Sequence, residues 1–209
     1  YNQFSLGNVP LERAFASSCN TTFADISTKL EPGELADVGK QFGLGIDYRI
    51  PGLHTITGSV PEGETPLDRT EAGYGQGLDL ASPFGLALVA ATAARGETPV
   101  PVLIDGHATE VSEDVPAPSP EAIAQLQQMM RSVVTSGTAR GMQAGGAIHG
   151  KTGEAEINQG SHAWFAGYRD DDIAFATLVV LGGGSETAVA ITDRMFTTLD
   201  QRRAEHAIP

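Results

Sequence analysis

Two apolar runs joined by one acidic turn constrain this chain more than any other feature. Residues 162–168 and 173–181 flank Arg169-Asp170-Asp171-Asp172, and that pattern reads as an antiparallel hairpin. Just upstream lies Ala147-Ile148-His149-Gly150-Lys151-Thr152-Gly153-Glu154-Ala155, a third strand candidate. Three consecutive strands able to pair antiparallel imply a sheet. Gly182-Gly183-Gly184 then turns the chain into a final helix over 186–199, which must pack on that sheet.

The upstream chain reads mainly as helices. Pro10 opens one over 11–15, with proline at its first position. A second is expected over 21–30, with Phe23, Ile26 and Leu30 facing inward, and a third over 34–42, halted by Gly43 and Gly45. Residues 46–81 are rich in Gly, Pro and Thr and predict a long ordered loop with short elements. Ser82-Pro83 starts a strong helix over 84–95, closed by Gly96. A short strand is expected over 100–104. Ser119-Pro120 starts a further helix with Ile123, Leu126, Met130, Val133 and Val134 on one face. Helices, then three strands, then a helix make an α+β pattern rather than an alternating one.

The bulk composition narrows the function. At 209 residues the chain is one ordinary domain or most of one. Its formal charge of −13 argues against nucleic acid, because no basic patch could offset such a field. Cys19 is the single cysteine, so no disulfide forms within the chain, and its setting suits a small buried filler. His54, His107, His149, His162 and His206 are scattered without metal-ligand spacing, so no metal and no cofactor are expected. His149 and His162 are expected near the site in supporting or surface roles. Trp164 reads as core packing, and Asp170-Asp171-Asp172 as a solvated turn. The opening Tyr1-Asn2-Gln3-Phe4, with no initiator Met, reads as a cut from something longer.

Lys151-Thr152-Gly153 carries the chemistry. An ammonium, a hydroxyl and a missing side chain in a row suit an edge strand beside a carboxylate-bearing acyl substrate. The ammonium supplies charge, the hydroxyl donates, and the glycine lets a ligand lie against the backbone. Only three lysines occur (Lys29, Lys40, Lys151), and this one stands between glycines. A three-residue motif is common by chance, so it needs support elsewhere. Ser18-Cys19-Asn20 supplies it. Taken alone, Ser18 and Asn20 would read as helix caps.

The order Ser18-Cys19-Asn20, Gly75-Gln76-Gly77, Ser82-Pro83, Gly137-Thr138-Ala139, Lys151-Thr152-Gly153 and residues 162–168 resembles the transpeptidase domain of class B penicillin-binding proteins. It is most similar to the actinobacterial branch typified by penicillin-binding protein A, and covers about residues 4–199. The resemblance implies a β-lactamase/transpeptidase-like fold: an antiparallel sheet with helices on both faces. It implies a serine D,D-transpeptidase that cross-links peptidoglycan stem peptides through an acyl-enzyme and binds β-lactam antibiotics. It further implies work in cell-wall growth, cell division or cell shape, on the extracytoplasmic face of the membrane. The anchor would be an N-terminal segment not present in this chain.

By the same resemblance, Ser18, Asn20 and Lys151 are catalytic. Ser18 relays a proton between the nucleophile and the leaving amine. Asn20 holds the substrate's acyl side chain. Lys151, Thr152, Gly153 and the backbone N–H of Glu154 bind substrate, the last as an oxyanion-hole donor. The family usually has Thr where Glu154 stands. That added charge is unfavourable near a carboxylate site unless Glu154 points away or pairs with a cation.

No Ser-x-x-Lys exists here: Ile26, Asp37 and Ile148 lie three residues before the three lysines. The nucleophile is therefore expected before Tyr1, making residues 1–209 the C-terminal portion of a single transpeptidase domain. Its N-terminal strands and nucleophile helix would be missing. The strand over 173–181 would then be a bare edge, to be paired by the missing part or by a strand-exchanged second chain, and the piece alone would be poorly stable. The alternatives are a D,D-carboxypeptidase or β-lactamase on the same scaffold, or an inactive wall-binding relative lacking the nucleophile.

Overall fold

A computed structural model describes residues 5–206. The opening residues 1–4 lie outside the described range. In chain order the elements are α1 (Leu11–Ala16), α2 (Asn20–Ser27), α3 (Glu34–Gln41), β1 (Tyr48–Arg49), β2 (Gly58–Ser59), α4 (Pro66–Ala72) and β3 (Leu80–Ala81). There follow α5 (Pro83–Arg95), β4 (Glu110–Val111), α6 (Pro120–Thr135), β5 (Ile148–Ile157), β6 (Gly160–Arg169), β7 (Ile173–Val179) and α7 (Glu186–His206).

The expected meander forms. The strand order is β5-β6-β7, both pairs antiparallel, with Lys151 opposite Ala166 and Phe165 opposite Thr177. Side-chain alternation divides the sheet into two faces. On one, Phe165 and Phe175 pack with Phe196 of α7. On the other, Tyr168 packs with Ala93 of α5 and Met130 of α6. Helices thus cover both faces, as the resemblance implied.

The caps explain the helix limits. Ser82 and Ser119 each accept a hydrogen bond from the N–H three residues on, with proline next in line. Gly96 closes α5 at φ +84°, a left-handed conformation that favours glycine. Pro10 stands one position earlier than expected, capping α1 from outside.

Three expectations fail locally. No strand forms over 100–104. Pro99 and Pro101 alternate there and remove ladder donors, and Val100, Val102, Leu103 and Ile104 stay exposed. The short pairing partner of β1 is β4 instead. On α2, Ile26 is exposed while Ser27 is buried, because Ser27 Oγ bonds Ala24 O and fits against Gly73. Strand β7 ends at Val179, since Leu181 turns at φ +55° before the glycines.

The acidic turn is also not merely solvated. Arg169 is buried, forms a fork–fork pair with Asp171 at 2.8 and 2.6 Å, and reaches both Asp200 oxygens at 2.8 and 3.0 Å. Its guanidinium lies over the Phe196 ring at 4.4 Å, and Arg203 pairs with Asp171 as well. These bonds hold Asp171 well below the usual carboxylate range. They clamp the C-terminal half of α7 to the hairpin.

Removing one partner of a buried ion pair strands the others. Arg169→Met is therefore expected to lower unfolding stability by about 3 kcal/mol in urea melts. A loss within experimental error would mean the clamp contributes nothing.

Candidate active site

The turn after α1 is tight for a reason visible in its backbone. Ser18 sits at φ +53°, a left-handed conformation uncommon for a residue with a side chain. The N–H groups of Ser18 and Cys19 bond Phe15 O and Ala14 O at 3.0 and 2.9 Å, which holds the turn in this state. The strained turn points the Ser18 hydroxyl at the sheet. Strain of this kind persists only where the surroundings impose it, and it gathers at functional sites.

Strand β5 supplies the other half. Lys151 Nζ donates to Ser18 Oγ at 2.9 Å and to Thr152 O at 2.8 Å, across 133 positions of sequence. The ammonium also lies 5.6 Å from the centre of the Phe15 ring. Burial disfavours its charge and pulls its pKa from 10.5 down to about 8. Lys151 is thus a buried cation that gives up its proton in the range where acid–base work is done.

Helix α6 holds the two halves in register. Glu12 of α1 accepts from Gln128 Nε2 at 3.0 Å and from Ser132 Oγ. On the far side Arg131 Nη1 bonds Ile148 O, at the start of β5, at 2.7 Å. The segment after α6 continues this bracing. A Cβ on Gly137 would meet Ala16 O at 2.2 Å, so only glycine fits there. Thr138 N bonds that same Ala16 O at 3.0 Å. Asp193 of α7 pins the segment further along, accepting from Gln143 N and Ala144 N at 2.8 and 2.7 Å.

The remaining expected residues fall as follows. Thr152 is buried, and its hydroxyl pairs with that of Thr138 at 2.6 Å. Gly153 lies opposite Trp164, and a Cβ there would press on Trp164 Cβ at 3.2 Å. Trp164 is half-buried rather than a core residue. Glu154 points to a hydroxyl, not to a cation: its Oε1 lies 2.7 Å from Ser161 Oγ. Asn20 opens α2 and is exposed, and the α2 cap position falls on Cys19 without a side-chain bond. Neither Ser18 nor Asn20 is therefore a helix cap.

Cys19 is half-exposed rather than buried filler. Thr21 and Thr22 hydrogen-bond its sulfur and lower its pKa. His149 stacks on Tyr168 at 4.6 Å, two residues from Lys151, and burial lowers its pKa. His162 accepts from Leu181 N at 3.0 Å, away from Lys151.

Two contacts had no role assigned from sequence. Thr138 meets Thr152, and Gln76 Nε2 donates to Glu154 O at 3.0 Å, bringing the Gly75-Gln76-Gly77 loop against β5. Both residues lie in motifs visible in the sequence, but neither motif says what it touches. A cavity of about 470 Å³ beside Tyr48 and Val111 contains none of the site residues.

The low Lys151 pKa carries a stability signature. Between about 8 and 10.5 the unfolded chain holds this proton while the folded chain releases it. Stability must therefore rise with pH across that window, and the full penalty of burying the cation is present below it. Wild type is expected to gain about 2 kcal/mol relative to Lys151→Met between pH 7.5 and 9.5, read from urea titrations. A pH-independent difference would contradict the burial of a charged lysine.

The described chain matches known proteins over most of its length. It is 29% identical over 207 residues to the peptidoglycan D,D-transpeptidase PbpA of Mycolicibacterium smegmatis, covering 84% of this chain and 39% of that relative. The chain thus spans about two-fifths of the relative's length. Pseudomonas aeruginosa PBP2, solved in complex with WCK 5153, superposes with a TM-score of 0.81 at 27% identity, covering 100% of this chain and 52% of that one. Penicillin-binding protein A of Mycobacterium tuberculosis, solved as an imipenem acyl-enzyme complex, gives a TM-score of 0.74 at 25% identity, covering 88% and 46%. The penicillin binding protein transpeptidase domain family matches residues 1–198, and the chain belongs to that family.

Proposed function

We propose that this chain contributes two of the three catalytic motifs of a peptidoglycan D,D-transpeptidase, Ser18-x-Asn20 and Lys151-Thr152-Gly153. It would be the C-terminal portion of one transpeptidase domain, and the nucleophilic serine would come from a part of the protein outside this chain. The single observation that carries the reading is the 2.9 Å bond between Lys151 Nζ and Ser18 Oγ.

The chemistry follows from that pair. The serine oxygen attacks the penultimate D-Ala carbonyl of a stem peptide, and its proton passes through Ser18 to the departing D-Ala amine. An amine of a neighbouring stem then attacks the ester carbonyl, loses its proton along the same route, and restores the serine. Ser18 is suited to relay because its hydroxyl both accepts and donates. Lys151 polarises Ser18 and offers the positive charge that a substrate carboxylate needs in a chain of net charge −13. Asn20, exposed at the start of α2, would hold the acyl side chain. The Glu154 backbone N–H would donate to the oxyanion, while Ser161 holds the Glu154 side chain. A β-lactam would acylate the same serine.

The cellular setting is part of the same proposal. The domain would act on the outer face of the membrane, held there by a segment outside this chain. Among the described residues no helix is long and apolar enough to cross a membrane. Strand β7 ends the sheet. Its free edge would be paired by the preceding part of the domain, or by a second chain when that part is absent.

Fluorescent penicillin labelling of the complete gene product tests this. Ser18→Ala and Lys151→Ala are each expected to slow labelling by about a hundredfold or more, in keeping with lost acid–base catalysis. Wild-type rates in both variants would sink the reading. Incubation with a stem peptide and an acceptor amine should give cross-linked product, and release of free acid alone would point to a carboxypeptidase.

A further inference from the structure

We propose that Gln76 is a positioning residue for acyl transfer: its side-chain amide ties the outer edge of β5 at Glu154 and so aims the Glu154 N–H. The proposal rests on the transpeptidase reading above and deepens it.

The edge follows from strand geometry. Strand β5 lies at one end of the sheet, with β6 on its inner side. In an antiparallel ladder the N–H and C=O of one residue point the same way, and successive residues alternate between the partner strand and the open side. Thr152 O accepts from Lys151 Nζ and Glu154 O accepts from Gln76 Nε2, so residues 152 and 154 both face outward. The Glu154 N–H therefore leaves the sheet beside the carbonyl that Gln76 holds. The sense of this bond is fixed, because a carbonyl only accepts and Nε2 is the donor of a glutamine amide. A carbonyl also has two lone pairs, so the tie leaves Glu154 O able to accept a second bond.

Gln76 is itself held from the other half of the site. Its backbone N–H bonds Glu71 O at 3.0 Å, and Gly75 N bonds Ala72 O at 2.9 Å, which fastens the loop to the end of α4. A Cβ on Gly73 would meet Ser27 Oγ at 2.2 Å, so α4 ends hard against α2. Helix α2 in turn starts at Asn20, two residues after Ser18. Ser18, α2, α4, Gln76 and Glu154 thus form a continuous chain of contacts. This chain joins the Ser18 turn to β5 a second time, by a route separate from α6 and the Gly137-Thr138 segment. The Gln76 side chain is the link that crosses to the sheet. Fixing both ends of the cleft holds the Ser18 hydroxyl and the Glu154 N–H at one separation, and acyl transfer depends on such placement.

The test uses the complete gene product and penicillin G, with acylation and later ester hydrolysis followed by intact-protein mass spectrometry. Rates over a range of penicillin concentrations separate the saturating acylation rate from the half-saturating concentration. Gln76→Met keeps the length of the side chain and removes its donor. It is expected to lower the saturating rate about tenfold, less than the roughly hundredfold that follows from deleting an oxyanion donor outright. The half-saturating concentration should change by less than about twofold, because placement for attack acts on the chemical step. Hydrolysis of the ester should slow by a similar factor, since one N–H serves both steps. Gln76→Ala should follow Gln76→Met and serves if that variant folds poorly. An unchanged saturating rate would overturn the proposal. So would a change confined to the half-saturating concentration, which marks a ligand contact, or an equal loss in both quantities with a lower melting temperature, which marks a structural residue. Normal acylation of Ser18→Ala in the same assay would instead overturn the underlying reading, and this proposal with it.

Discussion

A buried ammonium organises the rest of this structure. Lys151 lies on an edge strand with Ser18 Oγ and Thr152 O as its hydrogen-bond acceptors. Putting a cation there is unfavourable, and its pKa falls accordingly. The surrounding fold must hold both acceptors in place or the cost is not offset. Helix α6 does this from both ends, by bonding Glu12 on one side and Ile148 O on the other. The Gly137-Thr138 segment then closes the gap between the Ser18 turn and β5. The site is thus a consequence of α6 packing rather than of either motif alone.

The same arrangement explains why the Ser18 turn tolerates a left-handed serine. Relaxing it would remove the Lys151 contact and break two backbone hydrogen bonds. The electrostatic setting adds to this. The chain has 26 acidic and 13 basic side chains, so an anionic ligand meets repulsion over most of the surface. A desolvated cation with hydroxyl groups beside it is the local exception, and low dielectric strengthens its pull on a carboxylate. The Arg169 clamp serves the site at a distance. It ties α7 to the hairpin, and Asp193 on α7 ties the 143–144 backbone that follows Thr138.

Much of this was legible in the sequence, for physical reasons. The hairpin and β5 follow from apolar alternation and the Asp turn, and α5 and α6 from Ser-Pro caps. The order of the short motifs along the chain carries the family resemblance. The strand over 100–104 misled because apolar content outweighed the two prolines that forbid pairing. Ile26 misled because helical spacing does not reveal that Gly73 opens space for Ser27 instead. The roles of Thr138 and Gln76 were not legible. Each depends on a contact to a residue far along the chain, and a threonine or glutamine carries no local mark of its partner. The half-exposed Cys19 was missed for a similar reason, since its surroundings are set by the Ser18 turn.

The central claim is that Ser18 and Lys151 form one acyl-transfer site with a serine from elsewhere in the protein. A crystal structure of the complete gene product acylated by penicillin G tests it most directly. The account predicts the penicillin carboxylate within hydrogen-bonding reach of the Lys151 side of the cleft, and Ser18 Oγ between the acylated serine and Lys151 Nζ. An adduct bound away from both residues, with their mutual bond intact and solvent between it and the ligand, would contradict it.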